Sequence, residues 1–203
     1  MIPFRHLNVP LVQLDARINP AQRNFRCVLF LDFDGVLHPE GCAERDHFCY
    51  LPNFAAVLRV ADPDHQVPIV ISSLWRHHCS LQYIRSYFPE DIAGQIVGVT
   101  PYMTDQQARE VQDWGPYGGE QSRTCHRQRE IAMWMNARAP QGRWLAIDDR
   151  AAYFHKDTPH LFLVPKLVYQ GDSGITVYQA PALAERLKEF LSALSLPEQQ
   201  RGT

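Results

Sequence analysis

The chain has 203 residues, of which 45% are apolar, and a formal charge of −2 at neutral pH. That length and apolar content suffice for one good core and argue for a single domain with decorations, while the near-zero charge excludes a global basic field for gripping nucleic acid and leaves a local arginine patch as the electrostatic option. Five cysteines without regular spacing do not describe a disulfide framework, and neither a signal-type apolar region at the amino terminus nor a segment of membrane-helix length is found, so a soluble cytoplasmic protein is expected.

Residues 1–24 are mixed in character, with Pro3, Pro10 and Pro20, and read as an extended arm ahead of a domain spanning 25–196. The run Val28 to Leu31 reads as a strand buried on both faces, as in parallel α/β sheets. It ends in Asp32 and Asp34, followed by Gly35, which permits a tight turn. Such a strand delivers its last residues to the carboxyl edge of the sheet, where open α/β folds bind ligands. Residues two apart share a face of a strand, so both carboxylates are expected to lean one way. Two adjacent anions repel unless a proton or cation lies between them, and a hard, oxygen-seeking ion such as Mg²⁺ suits them.

A loop from Val36 to Tyr50 leads to a helix around Pro52 to Ala61. The next apolar run, beginning at Val67, ends in the paired hydroxyls Ser72 and Ser73. Ser80 can cap a helix carrying Leu81, Ile84 and Phe88, and Ile96 to Val99 makes a short third strand. Pro101 to Thr124 is a loop insertion with Tyr102, Trp114, Tyr117 and the pair Gly118-Gly119. Its aromatics could stack on bases, although anchoring of the loop to the domain is the commoner use. A helix over Arg127 to Ala137 precedes a fourth strand ending in Asp148 and Asp149. Taken alone, that pair would read as helix caps. Leu161 to Val164 is the fifth strand, Ala182 to Leu194 an amphipathic closing helix, and 197–203 a polar, flexible tail. The alternation predicts a three-layer α/β/α sandwich with a mainly parallel, Rossmann-like sheet.

His38, Cys42, His47 and Cys49 share one loop, and His77, His78 and Cys79 follow the second strand. Such ligands suit Zn²⁺, but the spacing matches no paired Cys-x-x-Cys knuckle. Loop packing, or histidine contact with a substrate phosphate, is expected instead.

The order of polar strand ends resembles the haloacid dehalogenase-like (HAD) superfamily, most of whose members are Mg²⁺-dependent phosphohydrolases. That order is a carboxylate pair, a hydroxyl, a basic helix start and a second carboxylate pair. The nearer resemblance is to small HAD domains associated with RNA repair. It rests on Leu-Asp-Phe-Asp-Gly-Val-Leu-His-Pro, Ile-Ser-Ser-Leu-Trp-Arg, Gly-Val-Thr-Pro and Trp-Leu-Ala-Ile-Asp-Asp. The resemblance implies Asp32 as the nucleophile that forms an aspartyl-phosphate and Asp34 as the acid/base. It implies Mg²⁺ held by Asp32, by the backbone carbonyl of Asp34 and by Asp148, with Asp149 either supporting that shell or adding a contact. Ser72 would bind a phosphate oxygen, with Ser73 as the alternative. The family's basic residue must precede Asp148, and the only lysines are Lys156, Lys166 and Lys188, so an arginine has to serve. Counting back from Ile131, Trp134 and Met135 favours Arg127, with Arg123 and Arg129 as competitors.

Neither interval between these motifs is long enough for a large cap domain. An open site favours a bulky phosphomonoester such as a polynucleotide end or a phosphoprotein, unless an oligomeric partner supplies a lid. Alternative readings are a phosphotransferase or nucleotidase using the same chemistry, and a non-catalytic nucleic-acid repair accessory module. Intact Asp32, Asp34, Ser72 and Asp148 argue against the latter. Dehalogenation is disfavoured because Asp34 supplies an acid/base that it does not need.

Overall fold

The computed structural model describes residues 25–102, 125–139, 141–166 and 173–192. The expected amino-terminal arm, almost all of the 101–124 insertion with Arg123, and the tail lie outside the described residues.

Five strands form one parallel sheet: β1 (Cys27–Leu31), β2 (Ile69–Ile71), β3 (Ile96–Val99), β4 (Arg143–Asp148) and β5 (Leu161–Leu163), in the order β3-β2-β1-β4-β5. The two strands that end in acidic pairs are therefore central neighbours, with Leu29 opposite Leu145 and Leu31 opposite Ile147. All five residues of β1 are buried, which is why the strand reads as an unbroken apolar run rather than an alternating one.

Alternation along β1 assigns each residue to a layer. Leu29 and Leu31 pack with α1 (Leu51–Ala61), α2 (Leu81–Arg85), α3 (Glu90–Ala93) and α5 (Ala180–Ser192), through residues such as Phe54, Leu58, Ile84, Ile92, Leu183 and Leu187. Val28 and Phe30 face the opposite way, onto Ile131, Trp134 and Met135 of α4 (His126–Arg138). Phe30 meets the Trp134 ring edge-on at 5.7 Å between centroids. The result is the expected three-layer sandwich.

Helix starts follow local chemistry. The Ser80 hydroxyl accepts the Tyr83 N–H at 3.1 Å and caps α2. Leu51, Phe54, Ala55 and Leu58 make one buried stripe on α1. The short helix α3 and the 3-10 turns at Glu44–Asp46, Leu74–His77 and Ala151–Tyr153 were not foreseen, since such pieces carry no full period of apolar spacing. The interval after β1 holds only a loop, one 3-10 turn and α1 before β2, so no cap domain is inserted there.

Candidate active site

The sheet's hydrogen bonding continues one residue past several strands. Asp32 N–H donates to Ile147 C=O at 3.1 Å and Ser72 N–H to Leu31 C=O at 2.9 Å, which fixes both backbones at the carboxyl edge. The alternation therefore extends too. Asp32 follows Leu31, Ser72 follows Ile71 and Asp148 follows Ile147, and all three preceding residues belong to the layer away from α4. Asp32, Ser72 and Asp148 are thus placed on the α4 side of the sheet, where that helix begins.

Carboxylate oxygens of Asp32, Asp148 and Asp149 lie within 4.8 Å of one another, and all three residues are buried. Burial, and next the charge of Asp32, push the Asp148 carboxyl up to about 8. Burial and Asp32 raise Asp149 as well. Among the described residues, Asp148 Oδ2 and both Asp149 oxygens are buried without an aligned hydrogen-bond donor. A buried, oxygen-only donor set with surplus negative charge fits a hard divalent cation, so these three carboxylates suit Mg²⁺.

Arg127 enters this cluster from the first turn of α4. Its Nη1 is 3.3 Å from Asp32 Oδ1 and 3.5 Å from Asp148 Oδ2. Burial opposes the guanidinium charge, but Asp32 and Asp148 outweigh it and hold its pKa above the ordinary value. Nη1 lies at ion-pair distance yet makes no aligned hydrogen bond, so its N–H is available to an arriving oxygen. Of the competing arginines, Arg129 is buried on the same helix and Arg123 lies outside the described residues. A cation in the first turn opposes the helix dipole, an unfavourable local choice offset here by the facing carboxylates.

Asp34 stands apart from this cluster. β1 ends at Leu31, Phe33 turns into the core, and the Asp34 side chain is 42% exposed against 7% for Asp32. The two carboxylates are therefore an inner and an outer one, and Asp34 contributes no side-chain oxygen to the three-carboxylate group. The expectation that both lean the same way from one strand fails because the strand pairing carries through Asp32 and stops before Asp34. Buried His38 explains the position of Asp34. Its Nδ1 accepts the Phe48 N–H at 3.3 Å, so the ring proton resides on Nε2 and points at Asp34 Oδ1, 3.2 Å away. This bond, against the effect of burial, holds the Asp34 carboxyl below its usual range.

Ligating atoms of His38, Cys42 and His47 also gather within 4.8 Å, whereas Cys49 is exposed. Both nitrogens of His38 are already engaged, and its ring is flanked by Phe48, His47 and Trp75 at 5.0 to 5.7 Å. His38 and the rings around it pack beside Asp34.

Ser72 and Ser73 are both buried, and Ser73 caps the following 3-10 turn by accepting the Trp75 N–H at 3.4 Å. Ser73 keeps its own O–H free to donate, so the side of the sheet decides between them, and Ser72 lies on the α4 side with Asp32 and Asp148. Sequence reasoning missed Arg76. It is buried, donates from Nη1 to the carbonyls of Ser72 and Ser73 at 2.7 Å each, and donates from Nη2 to Glu130 on α4 at 2.7 Å. An arginine and a glutamate 54 positions apart carry no local signal. Gly35 has φ +73°, and a Cβ there would lie 2.4 Å from Asp149 Oδ2, so the turn needs glycine on two counts.

A family model described as the HAD domain in Swiss Army Knife RNA repair proteins matches residues 28–179. No curated protein matches the chain significantly. Among solved structures, a protein from Mesorhizobium loti, provisionally described as a HAD-like phosphatase, aligns at 14% identity and a TM-score of 0.40, covering 91% of this chain and 96% of its own.

Proposed function

The chain belongs to the family of HAD domains found in Swiss Army Knife RNA repair proteins, and on that premise we propose that it is a Mg²⁺-dependent phosphatase acting on a phosphorylated nucleic-acid end through an aspartyl-phosphate on Asp32. The observation that carries the reading is the buried group Asp32, Asp148 and Asp149 with the Arg127 guanidinium at its edge. A structural core would not gather three carboxylates and leave Asp148 Oδ2 and both Asp149 oxygens without an aligned donor.

An Asp32 oxygen attacks phosphorus. The bond from phosphorus to the ester oxygen breaks, and the leaving oxygen takes a proton from Asp34, which must first take that proton up from solvent against the pull of His38 as the anionic phosphate arrives. Asp34, now a carboxylate, removes a proton from water; the resulting hydroxide attacks the same phosphorus, the bond to Asp32 breaks, and inorganic phosphate leaves. A carboxylate is a poor nucleophile toward an anion. Arg127 reduces that repulsion, and Asp32, Asp148, Asp149 and the Asp34 carbonyl would hold Mg²⁺, which would supply further positive charge to the phosphate. The Ser72 hydroxyl donates to a non-bridging oxygen, and Arg76 fixes the backbone that carries it. His38 aims the Asp34 carboxyl outward, where a leaving group can reach it.

Phosphate release from an aryl phosphate and from 5′- and 3′-phosphorylated oligonucleotides, with Mg²⁺ and with EDTA, tests this reading. Metal-dependent release that favours the oligonucleotides is expected. Metal-independent release, or none from any of these substrates, would remove it.

A further inference from the structure

Beside the three-carboxylate group, three loops meet through exposed charges. Glu40, from the loop after β1, is bound on one side by the Arg150 guanidinium from the loop after β4. On the other side, its Oε2 accepts from Lys166 Nζ, beyond β5, at 3.1 Å. Lys166 Nζ is also 3.3 Å from Asp149 Oδ2, and Arg150 Nε is 4.0 Å from Asp149 Oδ1. The clasp therefore adjoins the inner carboxylates directly. Arg150 lies 5.7 Å over the Tyr153 ring, and Arg127 lies 5.7 Å from the same ring, so an aromatic face joins the inner arginine to the outer one.

Two cations from separate loops converging on a single carboxylate oxygen pair make an anion site, and Glu40 is its internal occupant. Such half-exposed pairs are weak in water and exchange partners readily. A phosphate offers more oxygens than a carboxylate and suits a guanidinium held over a ring. We propose that Arg150 and Lys166 bind the phosphodiester next to the terminal phosphate of a polynucleotide, and that Glu40 competes with it for the same two cations. The clasp thus selects a chain end over a small phosphate ester. This inference rests on the phosphatase reading above and extends it to substrate choice.

The test compares Arg150→Ala, Lys166→Ala and Glu40→Gln with the wild-type chain on phenyl phosphate, a phosphoserine peptide and phosphorylated oligoribonucleotides. Arg150→Ala and Lys166→Ala are expected to lower kcat/KM for the oligonucleotide about tenfold more than for phenyl phosphate. Each should flatten the salt dependence of oligonucleotide binding by about 0.7 in log–log slope, the share of one phosphate contact on a single strand. Glu40→Gln should act in the opposite direction and tighten oligonucleotide use. Equal losses on oligonucleotide and aryl ester, a fall in oligonucleotide use with Glu40→Gln, or a preference for the phosphopeptide would overturn the proposal. If no substrate is turned over, the phosphatase reading fails first, and fluorescence anisotropy with the same labelled oligonucleotides still decides the clasp. Affinity in the order Glu40→Gln, wild type, Arg150→Ala supports it; indistinguishable affinities overturn it.

Discussion

Gly35 and Arg127 show how single residues set the site. Gly35 occupies the left-handed region at φ +73° with Asp149 pressed against its Cα, so Gly35→Ala strains the backbone and displaces a carboxylate together. It should cost more than about 1 kcal/mol in stability by chemical denaturation and abolish phosphate release. Among the described residues, Arg127 is the arginine that reaches both Asp32 and Asp148. Arg127→Ala should lower kcat/KM on the order of 100-fold, a typical loss for a preorganised cation at a charged transition state, and by more than Arg129→Ala does. The reverse ranking in steady-state kinetics would move the phosphate-side role to the neighbouring arginine.

At the level of elements, the Arg76–Glu130 pair ties the end of β2 to α4 and so holds Ser72 and Arg127 in one frame. Burial pulls the Arg76 pKa down while Glu130 supports its charge, which makes the partner necessary. Glu130→Ala should destabilise the chain by about 3–5 kcal/mol in urea unfolding, as expected when a buried charge loses its counterion. Loss below about 1 kcal/mol would show that other contacts already satisfy Arg76. These elements also show what the sequence discloses and what it withholds. β1 and β4 were legible because each is an apolar run that stops at paired acids, and α4 because Ile131, Trp134 and Met135 keep helical spacing. The same stripe hid Arg127 and Glu130 as buried residues, since their burial comes from the site they face rather than from an apolar pattern. The outward turn of Asp34 and its bond from His38 were not legible, because both depend on where the strand ends and on Phe48 ten residues away.

Across the whole molecule, the site is stabilising only when its negative charge is met. The folded Asp148 carboxyl is raised to about 8, so its contribution to stability is fully present below the unfolded carboxyl value and is lost as pH rises through about 8. In EDTA the melting temperature should therefore fall between about pH 4 and pH 8, and Asp148→Asn should flatten that fall. Mg²⁺ should restore the lost degrees at the upper end, because a ligand bound only by the folded chain stabilises it. A melting temperature indifferent to both pH and Mg²⁺ would mean that the carboxylates carry no surplus charge. No helix among the described residues is long and apolar enough to cross a membrane.

The most direct measurement is acid-quenched trapping of the phosphoenzyme from a ³²P-labelled substrate in Mg²⁺, comparing the wild-type chain with Asp32→Asn. Label bound to the peptide that carries Asp32, absent in the variant while its circular dichroism and melting profile remain those of a folded chain, is the predicted result. Label on another residue, or turnover undiminished in Asp32→Asn, would contradict the account.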